Sequence, residues 1–286
     1  MMREVMKHGG GIFLLLLVGL GCGSVKLPWT KNPQPAPSPN DAGSPTEEPS
    51  TPPLPTLPAQ ALTALEKQAE AGDSIAQYNL ALQLEGKGGL PEAVAWYQKA
   101  ADQKLREAEY NVGYMYAHGK GLPESDVNAE LWFRRAAEQG LAVAQHTMGI
   151  FYAEGRGGVE QSFVKATNWH RKAAEQGLAA AQSHLGYLYA VGKIVERNPA
   201  EAANWFRKAA ENGEVDAQFQ IGVFLACGDG VEQDVVEGYK WLNIASLSNH
   251  QGAKTARTEL LKQMRPDAVT EAQKRTGEYI AKQRQK

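Results

Sequence analysis

Two cysteines, Cys22 and Cys227, stand in 286 residues, too few for the multi-bridge framework that staples small secreted folds. The formal net charge is −2 and no lysine- or arginine-rich cluster relieves it, so the electrostatic footprint of a nucleic-acid binder is missing and no nucleic acid is expected as a partner. The six histidines, His8, His118, His146, His170, His184 and His250, show no metal-ligand spacing with Cys, Asp or another His on one helix face. His146 and His184 fall on successive repeats at non-equivalent positions, and solvated or face-lining histidines are the simpler account. No phosphate loop, catalytic triad or acid/base pair is found. The expectation is therefore no catalytic residue, no metal, no cofactor and no enzyme.

What the chain does have is a period. Trp96, Trp132, Trp169, Trp205 and Trp241 recur at spacings of 36, 37, 36 and 36 residues. Ala76, Ala108, Ala144, Ala181 and Ala217 anchor the same register, and each is followed four positions later by Leu80, Val112, Met148, Leu185 or Ile221. At +5 stand Ala81, Gly113, Gly149, Gly186 and Gly222, and at +8 Leu84, Tyr116, Tyr152, Tyr189 and Leu225. Anchor, +4 and +8 form a stripe of period near 3.6, which predicts a short amphipathic helix, helix A. Glycine inside a helix costs about 1 kcal/mol relative to alanine, so its recurrence at +5 implies close approach of a neighbouring helix.

Helix A runs into a glycine-rich turn. A second helix, helix B, is predicted to start after Ser125, Ser162, Asn198 and Asp234, all good N-cap residues seven positions before a tryptophan. Its core stripe reads alanine, tryptophan, alanine, as in Ala129, Trp132 and Ala136. Gly140, Gly177 and Gly213 close it. Each tryptophan lies 12 residues before the next anchor, so length variation sits in the A-to-B turn, where the first repeat is four residues short. Charged helix B residues such as Arg134, Arg135, Glu138, Lys172, Glu175, Lys208 and Glu211 read as a solvated outer face. Two short antiparallel helices bury their apolar faces only by stacking on further pairs. The expected fold is all-α, a right-handed α-solenoid of antiparallel helix pairs with helix A on the inner face.

The pattern from Ala144 to Gly155 and from Trp169 to Gly177 resembles the Sel-one-like repeat, a relative of the tetratricopeptide repeat. The resemblance covers about Leu65 to Asn249, and Leu261 to Lys274 is similar to the terminal capping helix of that family. It implies a protein-interaction scaffold. In tetratricopeptide-like folds the inner-face residues of helix A hold ligands, and here they fall at +2 and +6: Tyr78 and Leu82, Tyr110 and Tyr114, His146 and Ile150, Ser183 and Tyr187, Phe219 and Val223. An aromatic and aliphatic stripe of this kind suits an extended peptide or a partner helix. The alternative is that these rings complete inter-repeat packing.

Residues 1–21 carry Arg3 and Lys7, the apolar run Ile12–Leu20 and then Gly21-Cys22, the layout of a signal peptide rather than of a membrane span. Gly19-Leu20-Gly21-Cys22 resembles a bacterial lipoprotein signal, which implies lipidation of Cys22, a membrane contact through an N-terminal lipid anchor and, with Gly23 following, the outer membrane facing the periplasm. An ordinary secretory signal and a soluble periplasmic or secreted protein form the alternative. Between Pro28 and Pro58 lie 11 of the 15 prolines, so residues 22–60 read as a lipidated cysteine and a disordered tether. Residues 61–254 are expected to form the repeats and 255–286 the cap.

The resulting expectation is a scaffold or adaptor of the bacterial cell envelope that binds an unidentified envelope protein or peptide. A subunit of a polysaccharide-export or secretion complex is the second reading. A penicillin-binding or β-lactamase-like hydrolase is a third, resting on Ser162-Phe-Val-Lys165, which matches a Ser-x-x-Lys pattern but falls at the N-cap position of the repeat.

Overall fold

A computed structural model describes residues 59–192 and 194–285, all-helical apart from turns. The signal segment, Cys22 and the tether up to residue 58 lie outside the described residues. The described chain divides into two compact units, one ending at Gln176 and the other beginning at Gly177.

The first unit contains α1 (Ala59–Glu70), α2 (Ser74–Gly86), α3 (Leu90–Asp102), α4 (Arg106–His118), α5 (Asp126–Glu138), α6 (Ala142–Glu154) and α7 (Phe163–Glu175). Helices α2, α4 and α6 are the A helices, and each packs on the B helix that follows it and on the one before it. The second unit contains α8 (Ala179–Val191), α9 (Pro199–Glu211), α10 (Val215–Cys227), α11 (Val235–Leu247), α12 (Gln251–Leu261) and α13 (Pro266–Gln283). Helix α1 starts two residues before the expected edge of the repeats. Helix α12 straddles the 254/255 boundary, with Ala253 on the same 36-residue register as Ala217, so it is a sixth A helix.

The B helices begin where side-chain oxygens meet the first free backbone N–H groups. Ser125 and Ser162 Oγ accept from Asn128 and Lys165 N–H at 3.3 Å, Asn198 accepts from Glu201 at 3.1 Å and Asp234 from Glu237 at 2.9 Å. Ser162 is therefore engaged as a cap, on the same footing as the other three. Helices α4, α6, α8 and α10 end in left-handed glycines, Gly119, Gly155, Gly192 and Gly228.

In the four repeats that have it, the +5 glycine faces the side chain immediately after the tryptophan. A methyl group added at Gly113 would lie 2.8 Å from the Phe133 ring, at Gly149 2.5 Å from His170 Cε1, at Gly186 2.7 Å from Phe206 and at Gly222 2.9 Å from Leu242. These partners are 2 % exposed or less. The rings pass on into the next repeat, where Phe133 meets Phe151 and Phe206 meets Phe224, each edge-on at 5.6 Å. Burying one such ring contributes about 1.5–3 kcal/mol.

This corrects the expected core stripe of helix B. Trp96, Trp132, Trp169 and Trp205 are only partly buried, because one residue along a helix is a turn of about 100°. Their rings instead carry cations three positions on: Lys99 at 3.8 Å, Arg135 at 4.6 Å, Lys172 at 4.3 Å and Lys208 at 4.3 Å. The outer-face charges are thus partly structural. Arg134 is likewise engaged, pairing with Glu130 and donating to the Tyr152 hydroxyl at 3.1 Å.

A second contact system joins successive repeats at the position after the anchor, occupied by Gln77, Glu109, Gln145, Gln182 and Gln218, all buried. Gln77, Gln145 and Gln218 donate their amides to the carbonyls of Ala69, Ala137 and Ala210 at 3.0, 3.2 and 3.3 Å. In four of the five repeats an amide at the end of the B helix donates to the ladder residue of the same repeat: Gln103 to Gln77 at 2.8 Å, Gln139 to Glu109 at 2.5 Å, Gln176 to Gln145 at 2.7 Å and Asn212 to Gln182 at 3.1 Å. Glu109 is the one acid on this ladder. Burial raises its pKa, against the hydrogen bond from Gln139 and the charges of Arg135 and Lys104. Lys104 takes a positive φ of 65°, a conformation that Gly140, Gly177 and Gly213 adopt at the equivalent position.

Two substitutions test this frame. Gly230 (φ 69°) packs on the start of α9, where an added methyl would press into Pro199 and stand 2.5 Å from Ala200 N. Gly230→Ala is expected to lower stability by about 2–4 kcal/mol, read by denaturant unfolding. Glu109→Gln supplies the missing amide donor and is expected to add on the order of 1 kcal/mol at pH 7. The native state of the parent holds the Glu109 proton after the unfolded chain has released it, so its stability falls as pH rises through the raised pKa. The advantage of Glu109→Gln in melting temperature should therefore shrink on acidification; an advantage independent of pH would refute the account.

Candidate partner-binding faces

In the first unit the +2 and +6 side chains of α2, α4 and α6 remain partly exposed: Tyr78 and Leu82, Tyr110 and Tyr114, His146 and Ile150. The +2 rings lean on the buried ring after each tryptophan, Tyr78 on Tyr97 at 5.7 Å, Tyr110 on Phe133 at 5.3 Å and His146 on His170 at 4.8 Å. One edge of each is thereby packed while the other faces outward. Tyr114 stands differently, against the chain's own polar groups: the His118 ring lies 4.0 Å away, and the Lys120 ammonium sits 4.7 Å over the ring and donates to its hydroxyl at 3.1 Å.

A polar network that the sequence did not disclose backs the Tyr78 face. The Tyr97 hydroxyl, with its residue fully buried, donates to Glu85 Oε2 at 2.8 Å. Asn111, three positions past its anchor, lies close to both the Tyr97 and Tyr78 hydroxyls and favours their ionised forms. Burial, followed by the carboxylates of Glu107 and Glu85, pushes the Tyr78 phenol above its ordinary value, and burial and Glu85 do the same more strongly at Tyr97. The column Tyr97, Phe133, His170, Phe206, one residue after each tryptophan, is the sequence signal that could have located these supports.

In the second unit Ser183 and Tyr187 on α8 are partly exposed, and Tyr187 packs against the edge of the α9–α10 core. Phe219 and Val223 are not available as lining: they are 8 % and 5 % exposed. The reason is α12. The His250 ring at its N-cap stacks on Phe219 at 4.7 Å, and Ala253, Ala256 and Leu260 close over Val223. Cys227 ends α10 and packs at the edge of the same cluster.

Among the described residues no group of three His, Cys, Asp or Glu side chains is placed to hold a metal. His146 Nδ1 instead lies 3.0 Å from His170 Nδ1, so one ring must donate and the other accept. Burial lowers the His146 pKa to about 4.

Helix pairs repeated in this way define the tetratricopeptide-like class of α-repeat folds. Residues 74–105, 106–141, 142–178, 179–214 and 215–250 each match the Sel1 repeat, and the chain belongs to that family. It is similar to a Sel1 repeat protein from Oxalobacter formigenes, with 32% identity over 71% of this chain and 59% of that one at a TM-score of 0.66. It is also similar to c5321, a protective antigen of uropathogenic Escherichia coli with the same repeat fold, with 29% identity over 76% of this chain and 56% of that one at a TM-score of 0.61. The chain thus spans less than two thirds of either relative. No curated protein matches it. Sel1 repeat proteins are generally protein-interaction scaffolds. No helix among the described residues is long and apolar enough to cross a membrane.

The histidine pair sets a pH dependence. Because the folded-state pKa of His146 lies below its ordinary value of 6.5, the unfolded chain takes up the proton first, and this contribution to stability is lost as pH falls from 6.5 toward about 4. His146→Phe keeps a ring on His170 and removes the titration, so its melting temperature should fall less than the parent's across that window. Parallel curves would show that His146 titrates normally in the fold.

Proposed function

We propose that this chain is a non-enzymatic adaptor of the bacterial cell envelope whose A-helix faces bind a partner protein or peptide. The observation that carries this is the partial exposure of Tyr78, Tyr110 and Tyr114 in the first unit and of Tyr187 in the second, each packed on one side and reachable by a partner on another. Rigid rings offer contact area at small entropic cost, which suits an extended segment or a helix. The N-terminal reading adds a lipid anchor at Cys22 and a proline-rich tether, which would hold the repeats near the outer membrane on the periplasmic side. A soluble periplasmic or secreted form is the alternative location.

An accessory role in a polysaccharide-export or secretion complex is a finer version of the same adaptor. The hydrolase reading has less support, because Ser162 serves as a helix cap like its three counterparts.

The test is replacement of Tyr114 and Tyr187 together by alanine. Tyr114 contacts His118 and Lys120 and, like Tyr187, only the edge of its core, so helical content should be unchanged and the melting temperature should stay within about 4 °C. Crosslinking capture from native envelope should lose the partner recovered with the parent. Capture that survives the double change, in a folded variant, would sink the adaptor reading. A Cys22→Ser form that recovers the same partner equally well would remove the anchor from the mechanism.

A further inference from the structure

The chain places its own cations over its aromatic rings wherever they are within reach. Among the described residues, Lys99, Arg135, Lys172 and Lys208 cover tryptophans, and Lys120 covers Tyr114. Tyr78 carries no such cation, yet its surroundings are acidic. The carboxylates of Glu85 and Glu107 both act on its hydroxyl, from the end of α2 and the start of α4. Glu85 spends one oxygen on the Tyr97 hydroxyl, and Glu107 pairs with Arg106, its exposed neighbour, at 2.9 Å. Two carboxylates against one guanidinium leave this corner net negative. The ring itself is held by Tyr97 on one side and by Asn111 at its hydroxyl, and it stays partly exposed.

We propose that the Tyr78 face between α2 and α4 seats a basic side chain, arginine or lysine, of the partner segment. The proposal rests on the adaptor reading above and gives its partner a chemistry. A held ring with carboxylates at its rim attracts a cation through the ring's negative face and through Coulomb attraction together. The Lys120–Tyr114 contact one repeat along is the same arrangement closed by the chain itself. A partner that places a basic residue at Tyr78 would complete the row.

The experiment uses the full-length chain and two synthetic octapeptides of alternating alanine and serine, blocked at both ends, with arginine at the fourth position in one and citrulline in the other. Citrulline keeps nearly the shape of arginine, removes its charge and carries a carbonyl acceptor in place of one NH2 donor group. Binding is followed by ligand-observed NMR titration at low salt. The arginine peptide should bind about fivefold tighter than the citrulline peptide. That preference should shrink with added salt, and it should vanish in Tyr78→Leu and in Glu107→Gln. Tyr78→Leu alters packing on Tyr97, so Glu107→Gln, which leaves every ring in place, is the decisive variant, with helical content checked for both. Equal binding of the two peptides, or an arginine preference unchanged in both variants, overturns the proposal. If the peptides bind alike while partner capture still depends on Tyr114 and Tyr187, the cation seat falls and the adaptor stands. If capture does not depend on those tyrosines, the adaptor reading itself has failed.

Discussion

The contact between the +5 glycine of each A helix and the side chain after each tryptophan fixes the rest of the repeat. With Cβ absent at Gly113, Gly149 and Gly186, the Phe133, His170 and Phe206 rings lie directly against helix backbone. The A and B axes can then approach more closely than side-chain contact alone would allow. That position is the centre of the pair, and the tryptophan, one residue before it, is turned to the flank. A large ring on the flank is half wet, and the recurring Lys or Arg three positions later covers it. In the first four repeats the tryptophan, the most visible mark in the sequence, is therefore a shoulder of the fold, and the quieter residue beside it is the core.

The amide ladder has a different role, because its carbonyl bonds tie each A helix to the helix before it while its amide–amide bonds tie the same A helix to the B helix of its own repeat. Hydrophobic stacking tolerates sliding, whereas an amide that must meet one carbonyl and one further amide has a single register. Where the ladder carries Glu109 in place of glutamine, a neighbouring choice also changes. Lys104 stands where the next three repeats have glycine, and it contributes positive charge near the buried carboxylate while holding a positive φ. The departures offset one another electrostatically, at a local cost in backbone strain.

How far this was legible in the sequence follows from what each feature depends on. The period, the alanine anchors and the caps Ser125, Ser162, Asn198 and Asp234 are local and repeat five times or nearly so, and one chain suffices to read them. The +5 glycines announced close approach, although not which residue approaches. The tryptophan misled because size and recurrence mark a residue as structurally important without saying which of two adjacent helical positions faces inward. The Glu85–Tyr97–Asn111–Tyr78 network was illegible because its members come from α2, α3 and α4 and occur in one repeat only, so no period exposes them. Helix α12 as a sixth A helix was available in principle, since Ala253 follows Trp241 by the same 12 residues. It was hidden because Arg257 stands at the +4 position that is apolar in every other repeat.

That last departure decides where a binding face on the second unit can end. In a true sixth repeat, an apolar +4 residue would face a B helix of its own. Arg257 instead donates to Asn243 at 2.9 Å and to Ser246 at 3.0 Å, bonding α12 back onto α11, while α13 buries Trp241 under Tyr279. The terminal helices seal the stack, and in doing so α12 covers Phe219 and Val223, the +2 and +6 positions of α10. The same residue types that stand open on α4 are core on α10. Exposure at +2 and +6 is thus set by what lies next along the stack rather than by the repeat itself. A partner is therefore expected to engage repeats whose aromatic side chains are supported from beneath and not covered from above.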